Sequence, residues 1–145
     1  LADFRRRHGF GRAIAAPQIG IGQRFIAIDL GKGPFLVVNP VITSRSEETF
    51  TMWDDCMSFP DILVRLRRHR SISLYYHDEA GRDHEWRDLD TAESELLQHE
   101  TDHLDGVLAI DHALDRESIV LRPLFEARYE ELRATVDYAI RSAGS

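Results

Sequence analysis

The chain has 145 residues, 43% of them hydrophobic and 30% charged, which fits one globular domain with its own core and excludes a disordered polymer. Its 18 Lys and Arg against 25 Asp and Glu give a formal net charge of −7, the reverse of the basic balance that a dedicated nucleic-acid binder carries. No apolar run approaches the roughly 18 residues of a membrane span, no signal peptide is visible, and a lone cysteine, Cys56, forms no internal disulfide, so a reducing, cytoplasmic setting is expected.

Leu1 to His8 reads as the tail of a helix, with Leu1, Phe4 and His8 on one side and Gly9 as its stop. The chain opens on Leu1, so the N-terminal part of a single domain spanning residues 1–145 is expected to be missing. Gly9 to Gly22 reads as a loop with a turn at Pro17. Strands are predicted at Arg24–Asp29 and Phe35–Val38, the second ended by Asn39-Pro40, with extended chain resuming at Val41–Arg45. Further strands are predicted at Thr49–Trp53, at Ile62–Arg67 and at Ser71–Tyr76, and Arg82–Leu89 is placed to fold back as a hairpin. The period then changes. Asp90-Thr91-Ala92-Glu93 reads as a capped helix start, running to about Asp105 with Gly106 as terminator. Val107–Ile110 is a short apolar segment. Leu121, Phe125, Tyr129, Leu132, Val136 and Ile140 recur at spacings of three or four, which predicts an amphipathic C-terminal helix with Pro123 near its start. Many strands, then one central helix and one closing helix, is an α+β order.

The chemistry gathers at Gln98-His99-Glu100-Thr101-Asp102-His103-Leu104-Asp105-Gly106. His99 and His103 lie four apart, on one face of a helix, where both can hold one cation. Glu100 stands beside them, where its carboxylate can take a proton from water polarised by that cation. Two histidines do not complete a site. Asp111 and His112 fit no recognised zincin spacing. Cys56 reads either as a small buried apolar residue or as a thiolate completing a Cys-His-His site with a fourth position open.

Three separated segments resemble the peptide deformylase family: Gly11-Arg12-Ala13-Ile14-Ala15-Ala16-Pro17-Gln18, Asp54-Asp55-Cys56-Met57-Ser58, and Gln98 to Gly106, in that family's order. The resemblance covers nearly the whole chain. It implies antiparallel β-sheets around a central metal-binding helix, with Cys56, His99 and His103 as ligands and Glu100 as general acid/base in the hydrolysis of an N-formyl amide to formate and a free amine. It implies that the Gln18 side-chain amide and the Met57 backbone N–H polarise the formyl oxygen; by itself, Gln18 reads equally as a turn residue capping its own backbone. It implies an extended peptide substrate paired to backbone groups of Gly11, Arg12, Ala13 and Asp55. It implies Fe²⁺, while the ligand types also accept Zn²⁺, Ni²⁺ or Co²⁺. Asp102 is placed to orient a ligand imidazole or to sit solvated on the helix, with Asp105 beside it, and Asp54 is placed to pair with Arg68, as a weak surface pair if nothing more.

The chain departs from the family pattern at four positions. Ala13 and Asp55 replace glycines, and Asp55 is expected to keep a left-handed backbone there and to add negative charge near the metal. Ala92 and Glu95 stand where the family has bulky apolar residues lining a methionine pocket. An unpaired carboxylate there is costly, so either Glu95 turns to solvent or the pocket takes a polar or cationic group, and N-formylmethionyl peptides are expected to be poorer substrates here than for a typical member. The expected partner is therefore an N-formylated peptide, a ribosomal nascent chain included, or a formylated small molecule. The alternatives are a general H-E-x-x-H metallopeptidase and a non-catalytic binding protein of the same fold.

Overall fold

The computed structural model describes residues 1–140, so the last five positions of the expected 1–145 domain lie outside the described residues. Helix α1 (Ala2–His8) ends as its sequence dictates, at a left-handed Gly9 whose N–H donates to the Arg5 carbonyl. The stretch expected as a loop holds a short strand, β1 (Ala13–Ala15), and one turn of 3-10 helix at Ala16–Ile19. The strands β2 (Phe25–Ile28), β3 (Phe35–Arg45), β4 (Thr49–Cys56), β5 (Phe59–His69), β6 (Ile72–His77) and β7 (Asp83–Trp86) follow. The central helix is α2 (Thr91–Leu104), and β8 (Ile119–Leu121), α3 (Arg122–Ala127) and α4 (Tyr129–Arg133) close the described chain.

The strands form two antiparallel sheets, one ordered β1-β2-β3-β6-β7 and the other β4-β5-β8. Asn39-Pro40 does not end β3. Asn39 takes φ 49° and the register shifts between Val38 and Val41, so the proline, which has no N–H to give, falls in a bulge and the strand continues. Helix α2 packs into the first sheet, where Leu96 and Leu97 join Ile26, Ile28, Val37, Ile72 and Leu74 in one apolar cluster. A second cluster, Phe50, Met52, Val64, Leu66 and Ala109, lies on the other sheet.

The predicted start of α2 holds: the Asp90 carboxylate accepts from the Glu93 N–H at 2.8 Å. Gln98 ties the helix to the end of β5, accepting from the His69 N–H at 2.9 Å and donating to the His69 carbonyl at 2.8 Å. The C-terminal helix is present but shorter than its periodicity suggests. It breaks at Arg128 and stops at Arg133, because the next residues bond elsewhere: Asp137 and Tyr138 donate their N–H groups to the Thr51 carbonyl, and Tyr138 bridges to Met52.

Candidate metal centre and cleft

Two local features bring the metal-type donors together. Strand β4 ends in a tight reversal at Met57-Ser58, with Cys56 opposite Phe59, which aims the Cys56 thiol at α2. On α2, His99 and His103 are one turn apart. Cys56 Sγ lies 3.4 Å from His103 Nε2, and His103 Nε2 lies 2.9 Å from His99 Nε2. The three donor atoms fall within 4.8 Å of one another, and all three residues are buried. Burial pushes the Cys56 thiol up, but hydrogen bonds from His103 and His99 outweigh it and bring the group down to about 6, which favours the thiolate that a metal requires. One thiolate and two imidazoles converging on one point fit a divalent transition ion.

The carboxylate that orients a ring is Asp54, not Asp102. Asp54 Oδ2 accepts from His99 Nδ1 at 2.8 Å, which turns Nε2 toward the other donors. Arg68 is buried rather than on the surface, and its guanidinium donates to Asp54 at 3.3 Å and to Asp102 at 2.6 Å. Burial drives the Asp54 carboxyl up, and His99 and Arg68 more than reverse this, holding it at about 2. Asp102 takes His112 at 3.0 Å as well as Arg68; Asp105 pairs with Arg24 at 2.9 Å. Asp111 accepts from the Leu108 N–H, so neither it nor His112 is a third ligand.

Glu100 is buried, and its Oε2 has no hydrogen-bond partner. Burial raises its carboxyl, with the charged forms of His99 and His103 pulling the other way. Gln18 caps its own turn, as one of its two readings has it. Its Oε1 caps the Ala15 N–H at 2.9 Å, and this leaves Nε2 directed inward, 2.9 Å from Ser58 Oγ and 3.8 Å from Cys56 Sγ.

Asp54, His99 and Glu100 open on a cavity of about 900 Å³. Gly11, Arg12, Ala13, Asp55, Met57, Glu95, His99 and Glu100 line it; Gln18, Cys56 and His103 lie outside that lining, and Ala92 also stands outside it, with only its carbonyl taking part by accepting from Arg12 at 3.3 Å. Two expectations are corrected. Asp55 has no left-handed backbone, and its carboxylate is met by Arg122 at 3.2 Å. Glu95 does not turn to solvent: it is 1% exposed and bonded to the Arg12 guanidinium, so it is not an unpaired charge. Gly11 is the position in that segment that needs glycine, with φ 119° and with Phe4 and Met57 at 3.3 and 3.4 Å from any added Cβ. The cavity's far wall, Phe125, Tyr129 and Val136 to Ile140, lies in the C-terminal stretch for which the sequence offered no functional signal.

A buried carboxylate beside a Cys-His-His donor set, at the side of a peptide-sized cleft, defines a metal-dependent amide hydrolase. The family model for polypeptide deformylase matches residues 1–118. The peptide deformylase of Thermotoga neapolitana is 40% identical over 115 residues, covering 79% of this chain and 70% of that protein, and that of Prochlorococcus marinus is 37% identical over 114 residues, covering 75% and 56%. The crystal structure of peptide deformylase from Thermotoga maritima superposes with a TM-score of 0.69 at 40% identity, covering 75% of this chain and 74% of that one. A Synechococcus elongatus peptide deformylase in complex with actinonin gives 0.69 at 32% identity, covering 83% and 63%. The chain belongs to the polypeptide deformylase family.

Proposed function

We propose that this protein removes the formyl group from N-formylated peptides, with residues 1–145 as one catalytic domain. The observation that carries the reading is the meeting of Cys56 Sγ, His99 Nε2 and His103 Nε2 beside the unpartnered Glu100 Oε2, at the wall of the cleft. Cys56, His99 and His103 would hold a divalent ion, Fe²⁺ in our reading and Zn²⁺, Ni²⁺ or Co²⁺ as substitutes. The ion supplies Lewis acidity toward water and the formyl carbonyl.

The remaining chemistry falls to side chains. Glu100 takes a proton from the attacking water at its free Oε2 and passes it to the leaving amine; a carboxyl raised by burial suits a group that must both accept and release a proton. Gln18 Nε2, with its carbonyl end fixed on Ala15, and the Met57 N–H donate to the formyl oxygen as it gains charge. Strand β1 is the edge of its sheet, so an extended peptide can add beside Gly11, Arg12 and Ala13, with the Asp55 backbone opposite. Nascent chains at the ribosome and a cytoplasmic setting agree with this chemistry, and no helix among the described residues is long and apolar enough to cross a membrane.

The test is formate release from N-formyl peptides by anaerobically purified protein of known metal content. Glu100→Ala should keep the metal and lose about 10²–10⁴-fold in kcat. Cys56→Ser should lose the metal. Formate release that survives both substitutions would refute the assignment.

A further inference from the structure

Resting on the deformylase reading, we infer that Arg12 and Glu95 act as one unit that selects a hydrogen-bond-accepting side chain, a carboxamide or carboxylate, on the formylated residue. The placement follows from the helix. Glu95 lies four residues before His99, one turn along the same face of α2, and both line the cavity. A substituent on the carbon next to the formylated nitrogen lies within a few bonds of the reacting carbon. The stretch of cleft next to His99, which Arg12 and Glu95 help to line, is within its reach.

The two partners are not equally presented. The Glu95 side chain is 1% exposed, whereas that of Arg12 is 28% exposed, so the guanidinium covers the carboxylate and faces the cleft. Among the described residues, Arg12 uses two of its five N–H groups, one on the Ala92 carbonyl and one on Glu95. A substrate side chain that reaches the pair meets the edge of a held, charge-balanced donor. An apolar chain that covers the remaining N–H groups removes them from water without replacing the hydrogen bonds, and a site built of donors rejects an isostere that lacks the acceptor. A cationic chain meets the guanidinium before it can reach Glu95. A second arginine–carboxylate pair also lines the cleft, but with both partners equally presented: Arg122 is 25% and Asp55 24% exposed, and Arg122 lies over the Phe10 ring, 4.6 Å from its centroid.

The test compares formyl-Gln, formyl-Glu, formyl-norleucine and formyl-Lys tripeptides of otherwise identical sequence on the metal-loaded protein. Expected is a kcat/KM at least about tenfold higher for formyl-Gln or formyl-Glu than for formyl-norleucine, the effect of one hydrogen bond to a charged group. Arg12→Met combined with Glu95→Met removes both charges together and should invert the order toward norleucine. Norleucine or lysine ahead in the native protein, or a glutamine preference that survives in the double variant, overturns the inference and leaves the deformylase reading standing. If the double variant does not fold, the native series decides. No formate from any of the four would sink both.

Discussion

Arg68 makes the most exacting claim about how the centre is supported. Its buried guanidinium is the only cation bonded to Asp54 other than the His99 ring among the described residues, and it also holds Asp102. Arg68→Met keeps most of the volume and removes the charge. Asp54 is then left buried with one partner, and breaking a buried pair from one side costs about 3–5 kcal/mol. At about 2.1 cal/mol/K per residue, 145 residues give an unfolding entropy of about 0.3 kcal/mol/K, so the midpoint of thermal unfolding should fall by about 10–16 °C. Adding Asp54→Asn removes the stranded charge. The double variant should therefore be more stable than the two single effects predict, by about 1–3 kcal/mol. The two functions of the network also separate: Asp54→Asn, which loosens His99, should weaken metal binding about 10–100-fold, and Arg68→Met should weaken it less. Scanning calorimetry of metal-free and metal-loaded protein, with metal titrations, reads all of this. A midpoint drop under about 3 °C for Arg68→Met, or strict additivity in the double variant, would show that Arg68 is not the counter-charge holding Asp54.

Gln18→Leu should lower kcat about 10²–10³-fold with a small change in KM, because the amide donates to developing charge rather than to bound substrate; a KM effect alone would make Gln18 a turn residue only. Leu97→Ala, at a side chain 1% exposed between α2 and the first sheet, should cost about 2–5 kcal/mol in urea unfolding, and a cost near zero would contradict the packing. The His84 ring and the Arg82 and Ala80 amides hold the Asp78 carboxyl at about 2, below its ordinary 3.8. A carboxyl lowered in the folded state adds stability that is complete above the ordinary range and is lost as pH falls through about 2. An NMR titration of Asp78 with a midpoint near 3.8 would refute this.

The elements legible in the sequence are those whose signals are local. Asp90 caps α2 within one turn, Gly9 ends α1 within one residue, and the alternation in Ile62–Arg67 marks a strand. The misread elements are fixed from far away. Ile119–Leu121 is a strand because Ile62–Val64 pairs with it. The helical spacing that runs on to Ile140 loses to Thr51 and Met52 of β4, which capture Asp137 and Tyr138, and the Trp53 indole N–H, which donates to the Leu132 carbonyl at 2.9 Å, fastens the end of α4. Asn39-Pro40 looked like a strand end because a proline interrupts pairing locally, whereas the partner strand tolerates it in a bulge.

The same division runs through the site. His99, Glu100 and His103 announce themselves because helical spacing alone sets their common face. Cys56 needed the resemblance, since nothing near it in sequence names its partners. The two acids that departed from the family pattern look like liabilities in the sequence because their counter-ions are remote: Arg12 is 83 residues from Glu95, and Arg122 is 67 from Asp55. Each charge is offset by an arginine brought in from a distant part of the chain. A carboxylate introduced alone into such a place would have to turn out, take up a proton or destabilise the fold. Introduced with its arginine it instead converts an apolar wall into one that presents donors. The tolerance of the fold for Glu95 and any change in what the cleft accepts thus have a single cause, the Arg12 guanidinium. Restoring an apolar wall therefore requires changing both residues together; removing Arg12 alone would leave Glu95 buried without its counter-charge.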